Sequence, residues 1–477
     1  MKTQKLIDQS GHADMDQSVH ADQSVHPEKS VHAELVEALP KASTSSARTD
    51  FVARTDFVAR TDFVARTDFV GRTVLLDRIR DIGRRAAIGA IALAATGFAI
   101  AQQPAGQPIR IGSTLALTGP LSATAQIHKL VGEIYIEQLN KRGGLLGRPV
   151  EWVVKDDQSK ADLARTLYEQ LVTADKVDLL MGPYATGAIL SAMGVAQRYN
   201  KVLVHHTLGI PSLAKYDMQF PAWSIGSDPA TTVPNTLFDA LAASPKPPKT
   251  VAVVTSKFPS IQFMSAGARE VIKKRGLTEV LFLEWDFGNR DFGPIANRVK
   301  DAKPDFVWVG AIGLEGNLLL DAMKKIDYSP PQHFYLYPSP GPLLASPDAK
   351  NALSATIFEA QPPFTSNLGA AEFVKIYSER AAKAGFTDTS VETQAAASYT
   401  AWQILEAGVV ATKSLDDKAI GTWLKTNKVD TLQGKLRFDG TGNFGDDLMR
   451  IKQIQGGKWV VVWPKEVTAG GAKLIAP

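Results

Sequence analysis

Ile109-Arg110-Ile111-Gly112-Ser113-Thr114 begins the stretch that decides the fold. It runs on through Leu117-Thr118-Gly119-Pro120-Leu121, an amphipathic segment from Ala125 to Lys141, and Asn140-Lys141-Arg142-Gly143-Gly144-Leu145-Leu146-Gly147-Arg148-Pro149-Val150. The apolar run predicts a strand, and the amphipathic segment predicts a helix. Strand, loop and helix in that order place a helix N-terminus at the carboxyl end of a parallel strand, which is where open α/β sheets bind ligands. Gly143-Gly144 stops the helix. Gly147 with Pro149 forms a tight turn into the next strand, Val150 to Lys155.

Outward from this stretch the alternation continues. Further strands are expected at 177–181 and 202–204, with helices at 160–174 and 186–199. A crossing segment, Phe220 to Ser227, precedes a restart of the pattern. Strands at 250–255, 280–285, 306–309 and 334–337 then alternate with helices at 231–243, 263–275, 292–302 and 318–324. Two units of the same size and order mean an α/β protein with two similar lobes. The C-terminal third breaks the alternation with consecutive helices at 372–384, 391–412 and 416–426, before strand and turn return at Gly434 to Gly440 and Val460 to Trp463.

Thr118-Gly119-Pro120-Leu121, a helix, and Asn-x-x-Gly-Gly-Leu-x-Gly-Arg, with Gly-x-x-x-Phe-Asp-x-x-Gly from Gly434 to Gly442, closely resemble one known family. It is the periplasmic binding proteins of branched-chain amino acid ABC transporters (the leucine/isoleucine/valine-binding, type I family). The resemblance implies two doubly wound Rossmann-like lobes joined by a hinge that the chain crosses three times. It places one lobe at 102–226 plus 360–437 and the other at 227–359 plus 438–477.

What precedes residue 102 bears on compartment. From Ala47 to Val70 the hexapeptide Ala-Arg-Thr-Asp-Phe-Val repeats without a change, and Ser-Val-His recurs at Ser18, Ser24 and Ser30. An invariant short period with few apolar residues builds no core, so 1–73 is expected to be disordered or an extension from a misplaced start codon. Histidines six apart share no helical face, which argues against a metal-binding tail. Arg78, Arg80, Arg84 and Arg85, an uncharged run from Ala86 to Ile100, and the small residues ending at Ala101 have the three parts of a secretory signal peptide over 74–101. The chain has no cysteine, and therefore neither disulfides nor a lipid-modified cysteine. A free periplasmic protein, expected to be monomeric, follows. Net charge is +4 with the signs interspersed, which gives no ground for nucleic-acid binding.

Ligand contacts should come from the loops directly after strands. Gly182-Pro183-Tyr184-Ala185-Thr186-Gly187 leads into a helix whose free N–H groups and dipole favour an anion. The resemblance implies a ligand carboxylate held by Thr186, with Tyr184 and Ala185 beside it, and completed by Thr207 and Gly209 of the loop after Val204. It also implies a covering side chain at Thr124. The adjacent His205 and His206 point opposite ways on a strand end, so no metal is expected, and no cofactor. In the second lobe this sequence departs from the amino-acid binders. Ser339 stands where the acid that clasps a ligand ammonium is expected, Ile312 or Gly313 where an aromatic is, and Ser260-Ile261 where a Tyr-Gly pair is common. Phe258 and Ile312 are expected to cover the ligand body. A buried ammonium without its acid loses several kcal/mol. The expected ligand is thus a branched-chain amino acid relative, or an aromatic or aliphatic acid lacking the amine. Glu315, Asp286 or Glu359 could still supply a negative charge from another direction.

Other classes fit less well. Gly310-Ala311-Ile312-Gly313-Leu314-Glu315-Gly316 lacks the dinucleotide-binding spacing, and no Gly-x-Ser-x-Gly elbow or His-Glu-x-x-His motif occurs. No enzyme is expected. The partner implied is an ABC permease of the inner membrane. A sensor of the same fold, taking an amide, urea or an aromatic acid and signalling to a membrane receptor or regulator, is the alternative. N-terminal sequencing of the exported protein should begin at Gln102; a start upstream of residue 74 would refute the leader.

Overall fold

The structure, a computed structural model, describes residues 104–336 and 342–476. The repeats at 1–73, the leader at 74–101 and Ser339 lie outside the described residues. β1 (Ile109–Leu115), β2 (Val150–Asp156), β3 (Leu179–Met181), β4 (Leu203–His205) and β5 (Gln219–Pro221) form a parallel sheet ordered β2-β1-β3-β4-β5. Helices α1 (Ser122–Lys141), α2 (Ala161–Thr173) and α3 (Thr186–Arg198) connect its first four strands.

The second half begins with α4 (Pro229–Ala242) and β6 (Thr250–Ser256). It continues through α5 (Pro259–Lys274), β7 (Thr278–Trp285), α6 (Gly293–Ala302), β8 (Phe306–Gly310), α7 (Glu315–Lys325), β9 (Gln332–Tyr335) and β10 (Leu353–Thr356). Its strands run β7-β6-β8-β9-β10, all parallel, which repeats the order of the first sheet. Both sheets therefore reverse direction beside their first strand, at β1/β3 and at β6/β8, and such switch points leave a crevice at the strand carboxyl ends.

Three helices, α8 (Ala370–Lys383), α9 (Thr393–Thr412) and α10 (Asp417–Thr426), and a hairpin of β11 (Val429–Thr431) and β12 (Gly434–Leu436) follow. They pack on the first sheet. Trp402 of α9 stacks on Tyr135 of α1 at 5.9 Å and meets Trp152 of β2 edge-on at 5.3 Å. Arg380 of α8 pairs with Glu137 of α1 at 2.7 Å. The chain then returns to the second sheet as an antiparallel pair, β13 (Arg450–Gln455) and β14 (Lys458–Trp463), alongside β10.

The chain thus crosses three times between the sheets, after β5, after β10 and after β12, and the first and third crossings are tied together. The Leu448 N–H donates to the Ser224 carbonyl at 2.8 Å, Ile225 bridges Asp447, and the Asn443 side chain donates to the Gln219 carbonyl at 2.8 Å. Burial explains the strand composition. β3, β4 and β8 are buried along their whole length, as parallel strands covered by helices on both faces must be. On β6, Val251 and Val253 join one apolar core and Ala252 and Val254 another, the period of two that separates the faces of a strand. Proline at the first position opens α4 and α5, where its missing N–H costs nothing.

Two glycines separate close packing from mere permissiveness. A Cβ at Gly267 of α5 would lie 2.0 Å from the Ala230 carbonyl oxygen of α4, whereas one at Gly194 of α3 would meet nothing within 4 Å. Gly267→Ala should therefore cost ~1–3 kcal/mol by forcing the helices apart, and Gly194→Ala should gain about 1 kcal/mol of helix propensity. Urea unfolding of the two variants checks the opposite signs.

Candidate functional site

The carboxyl ends of the two sheets face one cavity of about 20 Å³. Tyr184, Ala185 and Thr186 reach it from the β3–α3 loop, Thr207 and Gly209 from the loop after β4, and Trp223 from the first crossing. Phe258 and Ser260 come from the β6–α5 junction, Ile312 from the loop after β8, and Gln394 from the first turn of α9. The contact between halves is tight: a Cβ at Gly209 would lie 2.9 Å from the Ser260 Cβ.

Seven of the residues named from the sequence are brought together here, namely Tyr184, Ala185, Thr186, Thr207, Gly209, Phe258 and Ile312. Thr124 is buried behind them, beside the Tyr184 hydroxyl. Sequence reasoning missed Trp223, Ser260 as a lining hydroxyl, and Gln394. The signals were available in part, because Ser260 had been singled out as a replacement and Gln394 follows a buried Glu392 that caps α9 through the N–H groups of Gln394 and Ala395 at 2.9 and 3.1 Å.

The first-lobe end is arranged to donate hydrogen bonds. Ala185 precedes α3 with φ 75° and ψ 142°, a backbone region that non-glycine residues rarely enter and that costs ~1–3 kcal/mol. No side chain caps α3, so its first-turn N–H groups are left for a ligand or water. The Gly209 N–H donates to Thr186 Oγ1 at 3.1 Å, which occupies the oxygen as an acceptor and leaves the hydroxyl hydrogen to donate elsewhere. Thr207 Oγ1 is buried with no hydrogen-bond partner.

None of the candidate acids lines the cavity. Glu315 accepts the Gly288 N–H at 3.0 Å and the Ile312 N–H at 3.4 Å, and its burial pushes its carboxyl up. Asp286 pairs with Lys257 at 2.8 Å on the surface. Glu359 accepts from Lys452 at 2.7 Å and from the Thr356 hydroxyl at 2.8 Å. The described lining is wholly uncharged, with aromatic walls and four hydroxyls, those of Tyr184, Thr186, Thr207 and Ser260.

Behind Tyr184 lies a buried ring cluster. His128 stacks on His206 at 4.5 Å with 7° between planes, and its other neighbour is Tyr184 at 4.9 Å. The nitrogen lone pairs of two stacked rings lie in parallel planes and do not converge on one ion. Among the described residues no group of three or more His, Cys, Asp or Glu is placed to hold a metal. Burial pushes His128 down to about 3 and holds His206 well below its ordinary value. His205, whose ring bonds the Gln219 side chain, is pushed down to about 4.

These shifts fix a pH dependence. The unfolded chain takes up protons as pH falls through about 6.5, while the buried rings stay neutral to about 4 or below. Their contribution to stability is therefore complete above pH 6.5 and is lost on acidification. Glu392, pushed up to about 7 by burial, acts in the opposite sense between about 4.5 and 7. Because of that opposition the difference between variants is the clean reading. His128→Phe should flatten the fall of unfolding free energy between pH 6.5 and 4.5 by up to ~1.4 kcal/mol per pH unit, measured by urea unfolding at a series of pH values.

Comparison with known proteins places the chain in a family. The model of a family described as periplasmic binding protein matches residues 108–458. A Leu/Ile/Val-binding protein of Rhizobium johnstonii is 23% identical over 362 residues, covering 74% of this chain and 93% of the relative. Among solved structures, a leucine-binding protein from Thermotoga maritima superposes with TM-score 0.61 at 18% identity, covering 74% of this chain and 97% of its own. A solute-binding protein of an ABC transporter from R. palustris, in complex with benzoate, gives TM-score 0.63 at 17% identity, with 77% and 99% covered. Among the described residues no helix is long and apolar enough to cross a membrane. Matched sheet order, three crossings and a facing pair of strand ends agree with that assignment: the chain belongs to the periplasmic binding protein family, with the type I fold of its branched-chain amino acid binding members.

Proposed function

We propose that this protein captures a small aromatic or aliphatic carboxylate lacking an α-amine and hands it to an ABC importer. One observation carries the reading. The cavity offers hydroxyls, a free helix N-terminus and aromatic walls, but no charged side chain among the described residues, and the 337–341 segment, Tyr-Pro-Ser-Pro-Gly, contains no acid either. A carboxylate can be held by Thr186, Thr207 and the first-turn N–H groups of α3, since hydrogen bonds to a charged acceptor are the strong kind. An ammonium would enter the same cavity unpaired. The structural relative that carries benzoate supports this reading, and the leucine-binding relatives define the competing one.

In this reading the lobes comprise 102–226 plus 360–437 and 227–359 plus 438–477, the leader at 74–101 exports the chain to the periplasm, and the protein works as a monomer without a cofactor. A cavity of about 20 Å³ holds little more than one water. A ligand therefore enters only when the lobes part at the three crossings, and Tyr184, Trp223, Phe258 and Ile312 then close on its apolar body. Ser339 and Thr124 complete the site from the second and first lobes. Differential affinity for the closed form shifts the population, and the closed surface is what a permease recognises.

Isothermal titration of the refolded, ligand-free protein with benzoate and with leucine decides between the two. Benzoate should bind and leucine should not, and Thr186→Ala should weaken benzoate binding by about tenfold or more, the worth of a hydrogen bond to a charged group. Leucine binding without benzoate binding would mean that an acid not seen in the lining holds the amine.

A further inference from the structure

Glu392 stands one step behind the cavity and carries a charge that its surroundings only partly neutralise. The residue is 7% exposed, and its Oε1 accepts the N–H groups of Gln394 and Ala395, which caps α9. The ammonium whose field reaches it is that of Lys452 on β13, and this is already paired with Glu359 at 2.7 Å and lies over the Trp459 ring at 4.5 Å. Asp388, in the loop before α9, accepts from Ser390 and adds a further negative charge. The other titratable groups that face Glu392 are Tyr377 of α8 and Tyr184 of the β3–α3 loop, both held protonated by burial. Three carboxylates in this cluster thus depend on one ammonium. Burial pushes the Glu392 carboxyl up to about 7.

Glu392 is coupled to the site on two sides. Tyr184, which feels its charge, lines the cavity, and so does Gln394, whose N–H it caps. A ligand carboxylate held by Thr186 and Thr207 brings another negative charge to this neighbourhood, and closure removes the cleft water that would screen it. Both effects act against the ionised form of Glu392 and neither acts against the acid. We infer that the protein takes up its carboxylate ligand together with a proton, which comes from solvent and forms an O–H on Glu392 as the lobes close. This rests on the carboxylate reading above. The protonated acid keeps a carbonyl oxygen that still accepts the two cap N–H groups, so the helix start is preserved. No described histidine competes for the proton near neutrality, because burial holds His128 at about 3, His205 and His333 at about 4, and His206 well below its ordinary value. The ligand's charge and the added proton cancel, and the closed complex carries the net charge of the empty protein. The sign follows from linkage: the closed, liganded form holds the proton more tightly than the open one, so affinity rises as pH falls through neutrality.

The test is isothermal titration of the purified protein with benzoate at pH 6, 7 and 8, in buffers of different ionisation enthalpy, so that the heat counts the protons exchanged. The wild type should take up about 0.3 to 1 proton per benzoate at pH 7 and bind at least about fivefold more tightly at pH 6 than at pH 8. Glu392→Gln keeps an oxygen for the cap and resembles the protonated acid. It should exchange no proton, lose the pH dependence, and bind benzoate at pH 8 about threefold or more tightly than the wild type, a gain that mere damage to the fold does not produce. An infrared difference spectrum of the wild type on benzoate addition should show the carbonyl band of a newly protonated carboxyl group, which needs no variant to fold. Benzoate binding with no proton uptake, or without that band, overturns the proton coupling and leaves the carboxylate reading standing. Uptake that persists in Glu392→Gln, or weaker binding by that variant at pH 8, overturns the assignment to Glu392. Failure of benzoate to bind overturns the carboxylate reading and the proton coupling together.

Discussion

A buried ion pair ties the crossings to the site. Lys452 on β13 donates to Glu359 at 2.7 Å with side-chain exposures of 5% and 8%, so neither charge has water to fall back on. Such a pair adds little net stability, but removing one partner typically costs ~3–5 kcal/mol because the other is left uncompensated. From it a chain of contacts leads inward. Glu359 also accepts from Thr356 at the end of β10, Thr356 meets the Thr393 hydroxyl at 2.9 Å, and Thr393 opens α9 beside Gln394. The segment that leaves the second sheet is therefore positioned by the same polar network that sets the lining residue contributed by the first. Geometry at the cavity and geometry at the hinge are one problem.

Much of this was legible in the sequence, for a physical reason. Parallel strands covered on both faces must be continuously apolar, and their connecting helices must be amphipathic, so Ile109–Leu115, Thr250–Ser256 and Phe306–Gly310 stand out against their neighbours. The ligand loops follow, because the switch-point rule attaches function to strand ends. Helix starts were less legible. α1 begins at Ser122 and α5 at Pro259, three and four residues before the apolar periodicity becomes visible, since first-turn positions are chosen for their backbone needs.

What was not legible depended on long-range partners. β13 is Arg450-Ile-Lys-Gln-Ile-Gln455, whose buried Lys452 and Gln453 read as solvent-facing until Glu359 and the backbone near Ile475 are seen to satisfy them. Trp223 lies in a crossing with no periodicity of its own, and Gln394 looks like any first-turn residue of a helix. Their roles arise where two halves distant in sequence meet, which no local pattern records. His128, on the buried face of α1, reads as a core residue and is one; its stacking on His206 joins two segments far apart in sequence.

The strand order also governs how copies of the molecule treat each other at high concentration. Among the described residues the two large sheets have four edge strands, and an unguarded edge invites another chain to add a strand. β2 carries Glu151, Lys155 and Asp156, and β7 carries Glu279 and Glu284, among apolar residues. β5 is three residues long, ends in Pro221, and is overlaid by Asn443. β14 lies next to a C-terminal segment fastened to the sheet, where the side chains of Gln453 and Gln455 bond the backbone of Ile475 and Lys473. Each of these edges is charged, shortened or flanked, which leaves no long, flat apolar edge among the described strands for another chain to extend.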